Sequence, residues 1–535
     1  MLPALIRSAK LFSTASLLAL TLLTTAAHAS SALLVKTDKG KVEGTLTGDQ
    51  QVRAFRGIPY AAPPVGNLRW QPPQPTTKWK DIRPAKDFGS HCIQSVSYND
   101  MTFHDPGPSE DCLTLNVWTP AKAKRGSLPV MVWIYGGGFA AGGTSEARQD
   151  GQFLAHRNVV VVSMNYRLGI FGFFAHPELA AESPHHASGN YGLLDETAAL
   201  AWVKANIAVF GGDPNNVTIF GESAGSFAVS AQMASPLARG LFTKAIGESG
   251  GAFYSASLNF EPRESVEQRD LAFAQAAFNT TSLADLRKLS VDEILKSIIA
   301  KSTPRPPKFA PDVDGYFLPD SVPNIYAAGN QAHIPLLAGW NADEARSQVL
   351  LAKTPTTTET FAATAKADFS DNAEKFLTVY PATTDAEALV SAGDYASDRF
   401  ISYSTWRWLE AHVATGQSPV FRYRLDLGSP GDKFHPAISG AFHSDDIEYV
   451  FGTLDSRIGA TWRPEDRRLS DQFGTYWTNF ARTGDPNGPG LPQWPTYNAS
   501  DHWQVMHLDA TSAARPDTQR DRYLFLDQVW GQPKN

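Results

Sequence analysis

The segment GESAG at residues 221–225 places Ser223 directly after an apolar run, 217–220, and before a run of small residues. A serine on a sharp turn between a strand and a helix is held in a strained backbone conformation that lifts its hydroxyl clear of the sheet. Such a hydroxyl can attack a carbonyl carbon when a neighbouring base takes its proton. The pentapeptide also occurs by chance in unrelated loops, so its position between a strand and a helix is what makes Ser223 the predicted nucleophile.

Three consecutive glycines, residues 136–138, follow the apolar run 130–135. Attack on a carbonyl creates negative charge on its oxygen, and donors must already point at that position before the reaction. Glycines at a strand end let backbone N–H groups approach a substrate without obstruction by side chains. We therefore predict an oxyanion hole formed by the N–H groups of Gly137, Gly138 and Ala224, the alternative for the glycines being an ordinary flexible turn.

Short apolar, β-branched runs alternate along the chain with segments of helical spacing, which favours a mostly parallel sheet with helices on both faces. A nucleophilic serine between a strand and a helix of such a sheet is typical of the α/β-hydrolase fold, a twisted α/β architecture. The more polar and helical segment 259–335 predicts a helical insertion over the sheet and the active site. The predicted strands are 130–135, 159–164, 217–220, 244–247, 334–339 and 421–425, and the predicted helices are 195–209, 224–234 and 469–482.

The N-terminus has the pattern of a secretory signal peptide. Arg7 and Lys10 precede an apolar stretch, 11–23, and the small-x-small segment 27–29 precedes Ser30. The apolar stretch is shorter than a membrane-spanning helix needs, although a retained N-terminal anchor is the alternative. We expect residues 1–29 to be a signal peptide and 30–535 to form a single domain that is secreted or periplasmic.

The charge of the chain disfavours two classes of partner. It carries 47 basic against 54 acidic residues, a formal net charge of −7, and shows no basic cluster. We therefore predict no nucleic-acid and no membrane partner, and make no prediction of oligomeric state. The only two cysteines, Cys92 and Cys112, are expected to form one disulfide in an oxidising compartment, the alternative being two buried thiols.

Motifs spread over the first half of the chain resemble the type-B carboxylesterase family, which includes cholinesterases and bacterial para-nitrobenzyl esterases. The resemblance runs nearly end to end and implies a serine hydrolase that forms an acyl-enzyme. The segments are FRGIPYA at 55–61, PVG at 64–66, LR at 68–69, SEDCL at 109–113, NV at 116–117, NYR at 165–167, GNYG at 189–192 and FGGDP at 210–214.

The resemblance also implies a Ser-His-Glu triad, with Glu344 as the acid and His443, in the segment GAFH at 440–443, as the base. This agrees with the chain order of nucleophile, acid and histidine in the α/β-hydrolase fold. Asp343 is the competing acid, and Ala345 stands where the family normally has a glycine. His435 is the competing base on general grounds.

By the same resemblance, Glu222, Ser249 and Asp446 are expected to support the triad, although each could be structural. Neither a cofactor nor a metal is required, and the pair at 185–186 lacks the spaced partners of a zinc site. The sequence favours hydrolysis of small to medium aliphatic or aromatic esters. An amidase or lactonase with the same triad, or a non-catalytic recognition module on this fold, stays open as an alternative.

Two features bear on the small-molecule substrate. In cholinesterases the stretch between the cysteines carries a tryptophan whose ring face binds the quaternary ammonium. Here Tyr98 and Phe103 are the only aromatic residues of that stretch, so choline esters are disfavoured as substrates. The segment 304–309, similar to the family's acyl-pocket stretch, carries Arg305 and Lys308 in place of aromatics, followed by Phe309. Two cations would suit an acyl group with its own carboxylate, the alternative being a solvated loop.

Overall fold

The structure, a computed structural model, describes residues 33–94, 98–299 and 305–531. The expected signal peptide lies outside these residues. Sixteen strands are described: β1 Leu34–Lys36, β2 Lys41–Glu43, β3 Thr45–Leu46, β4 Val52–Pro59, β5 Arg83–Pro84, β6 Thr114–Pro120, β7 Leu128–Ile134, β8 Val160–Met164, β9 Gly212–Glu222, β10 Lys244–Glu248, β11 Glu261–Pro262, β12 Asp312–Val313, β13 Leu336–Asn341, β14 Val420–Leu425, β15 Gln504–Leu508 and β16 Ala513–Pro516.

Helices cover both faces of the sheet and fill the long connections of the described chain. They are α1 Gln152–Ala155, α2 Gly169–Phe173, α3 Pro177–Glu182, α4 Tyr191–Asn206, α5 Ala224–Ala234, α6 Arg263–Phe278, α7 Leu283–Leu286, α8 Val291–Ile298, α9 Val322–Ala327, α10 Arg346–Leu350, α11 Thr358–Phe369, α12 Ala373–Val379, α13 Asp385–Ser397, α14 Tyr403–Thr415, α15 Ile447–Phe451, α16 Pro464–Thr483 and α17 Arg520–Trp530. None of these helices combines the length and the apolar character that a membrane span requires.

Eleven strands form the main sheet, in the order β16-β15-β14-β13-β10-β9-β7-β8-β6-β4-β3. The seven strands from β15 to β8 run parallel, and antiparallel strands flank them on both edges. Within the parallel part of the sheet, β10 is buried along its whole length, as expected of a parallel strand covered on both faces. The predicted α/β-hydrolase architecture is therefore confirmed.

All six predicted strands and all three predicted helices occur in the structure, with ends displaced by a few residues. The largest differences, of five residues, are at α16, which begins at Pro464 rather than at residue 469, and at β9, which begins at Gly212 rather than at residue 217 because it pairs with β7 from Leu128 onwards. The flanking strands β3, β4, β6 and β16, which pair antiparallel, and the parallel strand β15 were not predicted. Their residues alternate less clearly, and their pairing depends on partners that lie elsewhere in the chain.

The disulfide between Cys92 and Cys112 confirms the predicted pairing. It closes a loop whose residues Tyr98, Asp100 and Met101 form part of a cavity wall above the carboxyl ends of the parallel strands. The predicted insertion 259–335 contains α6 to α9 with the short strands β11 and β12, and a second helical stretch runs from α10 to α14. Both connections contribute residues to the same cavity, so they lie over the carboxyl ends of the parallel strands.

Candidate active site

Ser223 occupies the sharp turn that joins β9 to α5. Its backbone has φ 56° and ψ −124°, outside the regions that L-residues normally adopt, and its N–H donates to the carbonyl oxygen of Glu248 at 2.8 Å. A side chain at Gly225 would place its Cβ 2.0 Å from the carbonyl oxygen of Ile134, and one at Gly221 would lie 2.6 Å from the same atom. Close packing of these glycines against β7 therefore holds the strained serine in place.

His443 lies between the serine and a carboxylate. Its Nε2 is 2.9 Å from Ser223 Oγ, and its Nδ1 is 2.6 Å from Glu344 Oε2. Glu344 follows the end of β13 and its side chain is 0% exposed, whereas the His443 side chain is 24% exposed and faces the cavity. The structure thus brings together three side chains that are 220 and 99 residues apart along the chain.

The carboxylate of Glu344 receives two further hydrogen bonds at its other oxygen. The hydroxyl of Ser249, at the end of β10, donates to Oε1 at 2.5 Å, and the backbone N–H of Asn341 donates to the same atom at 2.8 Å. Asp446 acts one step further away, because it accepts from the Asn341 side chain at 3.2 Å and from the Tyr423 hydroxyl at 2.8 Å. Ser249 therefore contacts the acid directly, whereas Asp446 binds the side chain of Asn341, whose backbone N–H donates to the acid.

Glu222 places a second carboxyl group beside the imidazole. It is buried, and its Oε1 lies 3.4 Å from His443 Nε2. Burial raises the pKa of Glu222 to about 8, an effect that His443 partly offsets and the carboxylates of Asp446 and Glu344 reinforce. Burial alone would lower the pKa of His443, but the carboxylates of Glu222 and then Glu344 outweigh it and raise that pKa to about 9. The acidic surroundings therefore stabilise a protonated imidazole.

The glycine segment lies against the nucleophile. A Cβ at Gly136 would come within 2.8 Å of the Ser223 Cβ, and Gly137 and Gly138 adopt φ values of 109° and 66°. Among the described residues, none accepts a hydrogen bond from the N–H groups of Gly137 and Gly138, and that of Ala224 belongs to the first turn of α5. All three residues line the cavity, so the predicted donors lie beside the serine hydroxyl.

The cavity has a volume of about 450 Å³ and contains both Ser223 and His443 in its wall. Phe400, in a π-helical turn Asp398–Ser402 between α13 and α14, packs edge-on against the His443 ring with 4.8 Å between ring centroids. No sequence pattern indicated Phe400. A π-helical turn widens a helix by one residue and is frequent at functional sites, but it leaves no signature in hydrophobic periodicity.

The competing residues are engaged elsewhere. The carboxylate of Asp343 pairs with Arg346 at 3.0 Å and accepts from the Ala441 N–H at 3.1 Å. His435 lines the cavity, but its ring stacks on Phe442 and its Nδ1 faces Asp432 at 3.3 Å. Within the described part of the chain, no group of three or more side chains is arranged to hold a metal ion.

The three residues named from segment 304–309 separate in the structure. Lys308 lines the cavity, and its ammonium donates to the carbonyl oxygen of Ser257 at 2.5 Å. Arg305 is exposed and does not belong to the residues that line this cavity. Phe309 is buried, with its ring packed against Phe273. Of the two cations named from this segment, Lys308 therefore lines the cavity and Arg305 does not.

Comparison with known proteins gives a consistent result. Residues 31–526 match the model of the carboxylesterase family. The chain is 38% identical to fumonisin B1 esterase of Sphingopyxis macrogoltabida, over 90% of this chain and 88% of that protein, and 35% identical to para-nitrobenzyl esterase of Bacillus subtilis, over 92% and 98%. A solved structure of PNB esterase superimposes with a TM-score of 0.77 at 34% identity, covering 92% of this chain and all of that one.

The carboxyl group of Glu222 leads to a prediction about pH. Ser223 can react only when His443 is neutral, and a carboxylate at 222 raises the pKa of that imidazole. In Glu222→Gln we therefore expect the pH of half-maximal reaction of Ser223 with phenylmethanesulfonyl fluoride to fall, by about 1 unit. The measurement is the rate of sulfonylation across pH 5 to 10. Asp432→Asn, which removes a carboxylate that faces His435 instead, is the matched control and is expected to leave the profile in place.

An unchanged profile in Glu222→Gln, or an equal shift in Asp432→Asn, would contradict the assignment of the raised pKa to Glu222.

Proposed function

The chain belongs to the carboxylesterase family and is an ester hydrolase; from this premise we propose that it works through an acyl-enzyme on Ser223. His443 takes the proton of the Ser223 hydroxyl as its oxygen forms a bond to the ester carbonyl carbon. The tetrahedral adduct collapses with cleavage of the bond to the alcohol oxygen, which receives the proton from His443. Water, activated by the same imidazole, then releases the acid and restores Ser223.

One observation carries this proposal, the continuous line of hydrogen bonds from Ser223 Oγ through His443 to Glu344. The bond from Nδ1 to the carboxylate fixes the tautomer in which Nε2 is free to accept the serine proton. The same carboxylate stabilises the imidazolium that forms during attack. In this proposal Glu344 orients and stabilises the base, and it does not itself take the proton.

The N–H groups of Gly137, Gly138 and Ala224 are proposed to form the oxyanion hole. They lie beside the nucleophile, and those of the two glycines have no acceptor among the described residues. Donors that are already oriented can stabilise a negative charge without reorganisation during the reaction. Three further residues are proposed to support the triad. The Glu222 carboxyl group acts on the charge of His443, and Ser249 and Asp446 position Glu344, directly and through Asn341.

The cavity supports a substrate of small to medium size. A volume of about 450 Å³ is in the range of small-molecule sites and could enclose an aliphatic or aromatic ester. Two relatives carry names that point to such molecules, para-nitrobenzyl esterase and fumonisin B1 esterase. We propose simple aryl and alkyl esters as the working substrates of this chain.

We also propose that the protein is exported. The disulfide between Cys92 and Cys112 supports an oxidising compartment, since such bonds rarely persist in a reducing cytosol. The N-terminal sequence pattern also supports export, because it has the features of a signal peptide that is removed after Ala29.

Replacement of the nucleophile tests the proposal as a whole. In Ser223→Ala we expect hydrolysis of 4-nitrophenyl butyrate to fall by at least about 10⁴-fold, because the covalent step is lost. The wild-type enzyme should release an initial burst of 4-nitrophenol equal to the enzyme concentration wherever deacylation limits the rate. Circular dichroism and thermal unfolding check that the variant is folded. Substantial activity in a folded Ser223→Ala would refute the mechanism.

Adjacent residues provide a test of the acid. Glu344→Gln is expected to lower kcat by about 10³- to 10⁴-fold with little change in KM, because the amide favours the wrong imidazole tautomer. Asp343→Asn is the matched control, since it makes the same change one residue earlier and keeps an oxygen that can accept from the Ala441 N–H. It should retain activity within about threefold, in line with a partly exposed ion pair. The reverse ranking of the two variants would identify Asp343 as the acid.

Export is tested on the protein recovered outside the cytoplasm of an expressing bacterium. Its N-terminal residue should be Ser30, and intact mass under non-reducing conditions should show one disulfide. Recovery with residues 1–29 still attached, or only in the cytoplasm, would contradict the proposal.

A further inference from the structure

The charged groups on the cavity wall are paired with one exception. Glu344 and Glu222 face His443 at 2.6 and 3.4 Å, and Asp100 pairs with Arg148 at 2.8 Å. Arg148 is further matched by Glu146 at 2.9 Å, and His435 faces Asp432 at 3.3 Å. The remaining charged residue of the wall is Lys308.

Lys308 has no carboxylate partner. In the described chain, its ammonium contacts only the backbone carbonyl of Ser257, and no aspartate or glutamate lies within ion-pair distance. The segments that the structure does not describe, 1–32, 95–97, 300–304 and 532–535, contain no aspartate or glutamate. None of their side chains can therefore be a carboxylate partner of Lys308. The wall of the cavity therefore carries one uncompensated positive charge.

The position of Lys308 connects it to the reacting atoms. Ser257, which accepts from the ammonium through its carbonyl, donates through its hydroxyl to the carbonyl oxygen of Phe400 at 3.0 Å. The Phe400 ring packs against His443, which contacts Ser223. The ammonium is thus linked to the triad through Ser257 and Phe400, and Lys308, His443 and Ser223 line the same cavity.

The surroundings also favour a negative partner. The side chain of Lys308 is exposed at the mouth of the cavity, yet the protein around it withdraws enough water from the ammonium to lower its pKa. A charge that has lost part of its hydration gains more from an ionic hydrogen bond than a fully solvated one does. A carboxylate docked at the mouth would keep part of its own hydration, so it would avoid the full penalty of burial.

We propose that Lys308 is a specificity-determining residue that binds an ionised carboxylate on the substrate, so that the enzyme favours esters carrying a second, free carboxylate over neutral esters of the same shape. This rests on the proposed function and assigns the substrate class of the same site. The carboxylate can belong to the acid part, as in a dicarboxylic acid monoester, or to the alcohol part, and the two sources share one recognition chemistry.

The test compares kcat/KM on matched pairs of esters. For the acid part the pair is 4-nitrophenyl hydrogen glutarate against 4-nitrophenyl valerate, and for the alcohol part it is 4-acetoxybenzoate against 4-acetoxybenzamide. We expect the anionic-to-neutral ratio of at least one pair to fall about tenfold or more in Lys308→Gln, since ionic hydrogen bonds contribute on that order. Lys308→Arg should restore most of the ratio, and the pair that responds identifies the source of the carboxylate.

Arg305→Gln is the matched control, because it removes the same charge three residues away, outside the cavity lining. It should leave both ratios unchanged. An equal fall in Arg305→Gln and Lys308→Gln would assign the preference to long-range charge and overturn the proposal, as would ratios that Lys308→Gln does not change. Activity on the neutral esters reports separately on the proposed ester hydrolysis.

A second measurement needs no turnover. Glutarate should protect Ser223 from phenylmethanesulfonyl fluoride better than glutaramide does in the wild type, and this difference should disappear in Lys308→Gln. Equal protection by the acid and the amide in the wild type would also overturn the proposal, whatever the esterase assays show.

Discussion

The burial of the Glu344 carboxylate is the constraint on which the site depends. A carboxylate on a fully buried side chain is stable only if hydrogen bonds replace its water. Its donors are the His443 ring, the Ser249 hydroxyl and the Asn341 N–H, which come from three separate segments of the chain. The acid is therefore held in this way only when β10, β13 and the loop carrying His443 have assembled, so the geometry of the triad depends on the packing of these three segments.

The parallel sheet explains why these segments can meet. The carboxyl ends of β9, β10 and β13 lie side by side, with Glu222 paired to Glu248 and Glu248 to Gly339 in register. Ser223 and Ser249 follow the ends of β9 and β10, and both adopt positive φ, 56° and 54°. Strain at two adjacent strand ends turns both hydroxyls towards the imidazole and its acid. The packing of the glycines and the central sheet offsets this local strain, which is of the order of 1–3 kcal/mol per residue.

The sequence predicted the parts of this arrangement that are local. The strand, turn and helix around Ser223 have a short-range pattern, and the central strands are recognisable because burial on both faces leaves continuous apolar runs. The pairing of Ser223 with Glu344 and His443 was available only through family motifs, since contacts between distant segments leave no periodic signal. The π-helical turn that presents Phe400 and the separation of Arg305 from Lys308 follow from the packing of long insertions, which no local propensity encodes.

The carboxyl groups around the imidazole also set the electrostatic gradient of the cavity. Glu222, Glu248, Glu344 and Asp446 are all buried, and burial, reinforced by the neighbouring carboxylates, raises the pKa values of Glu222, Glu248 and Asp446. The negative potential of the Glu344 carboxylate, whose Oε2 lies 2.6 Å from Nδ1, favours the imidazolium that forms when Ser223 attacks. The same potential disfavours a substrate carboxylate near the base of the cavity. An anionic substituent is therefore better accommodated away from the triad, where the chain places the ammonium of Lys308, which has no carboxylate partner.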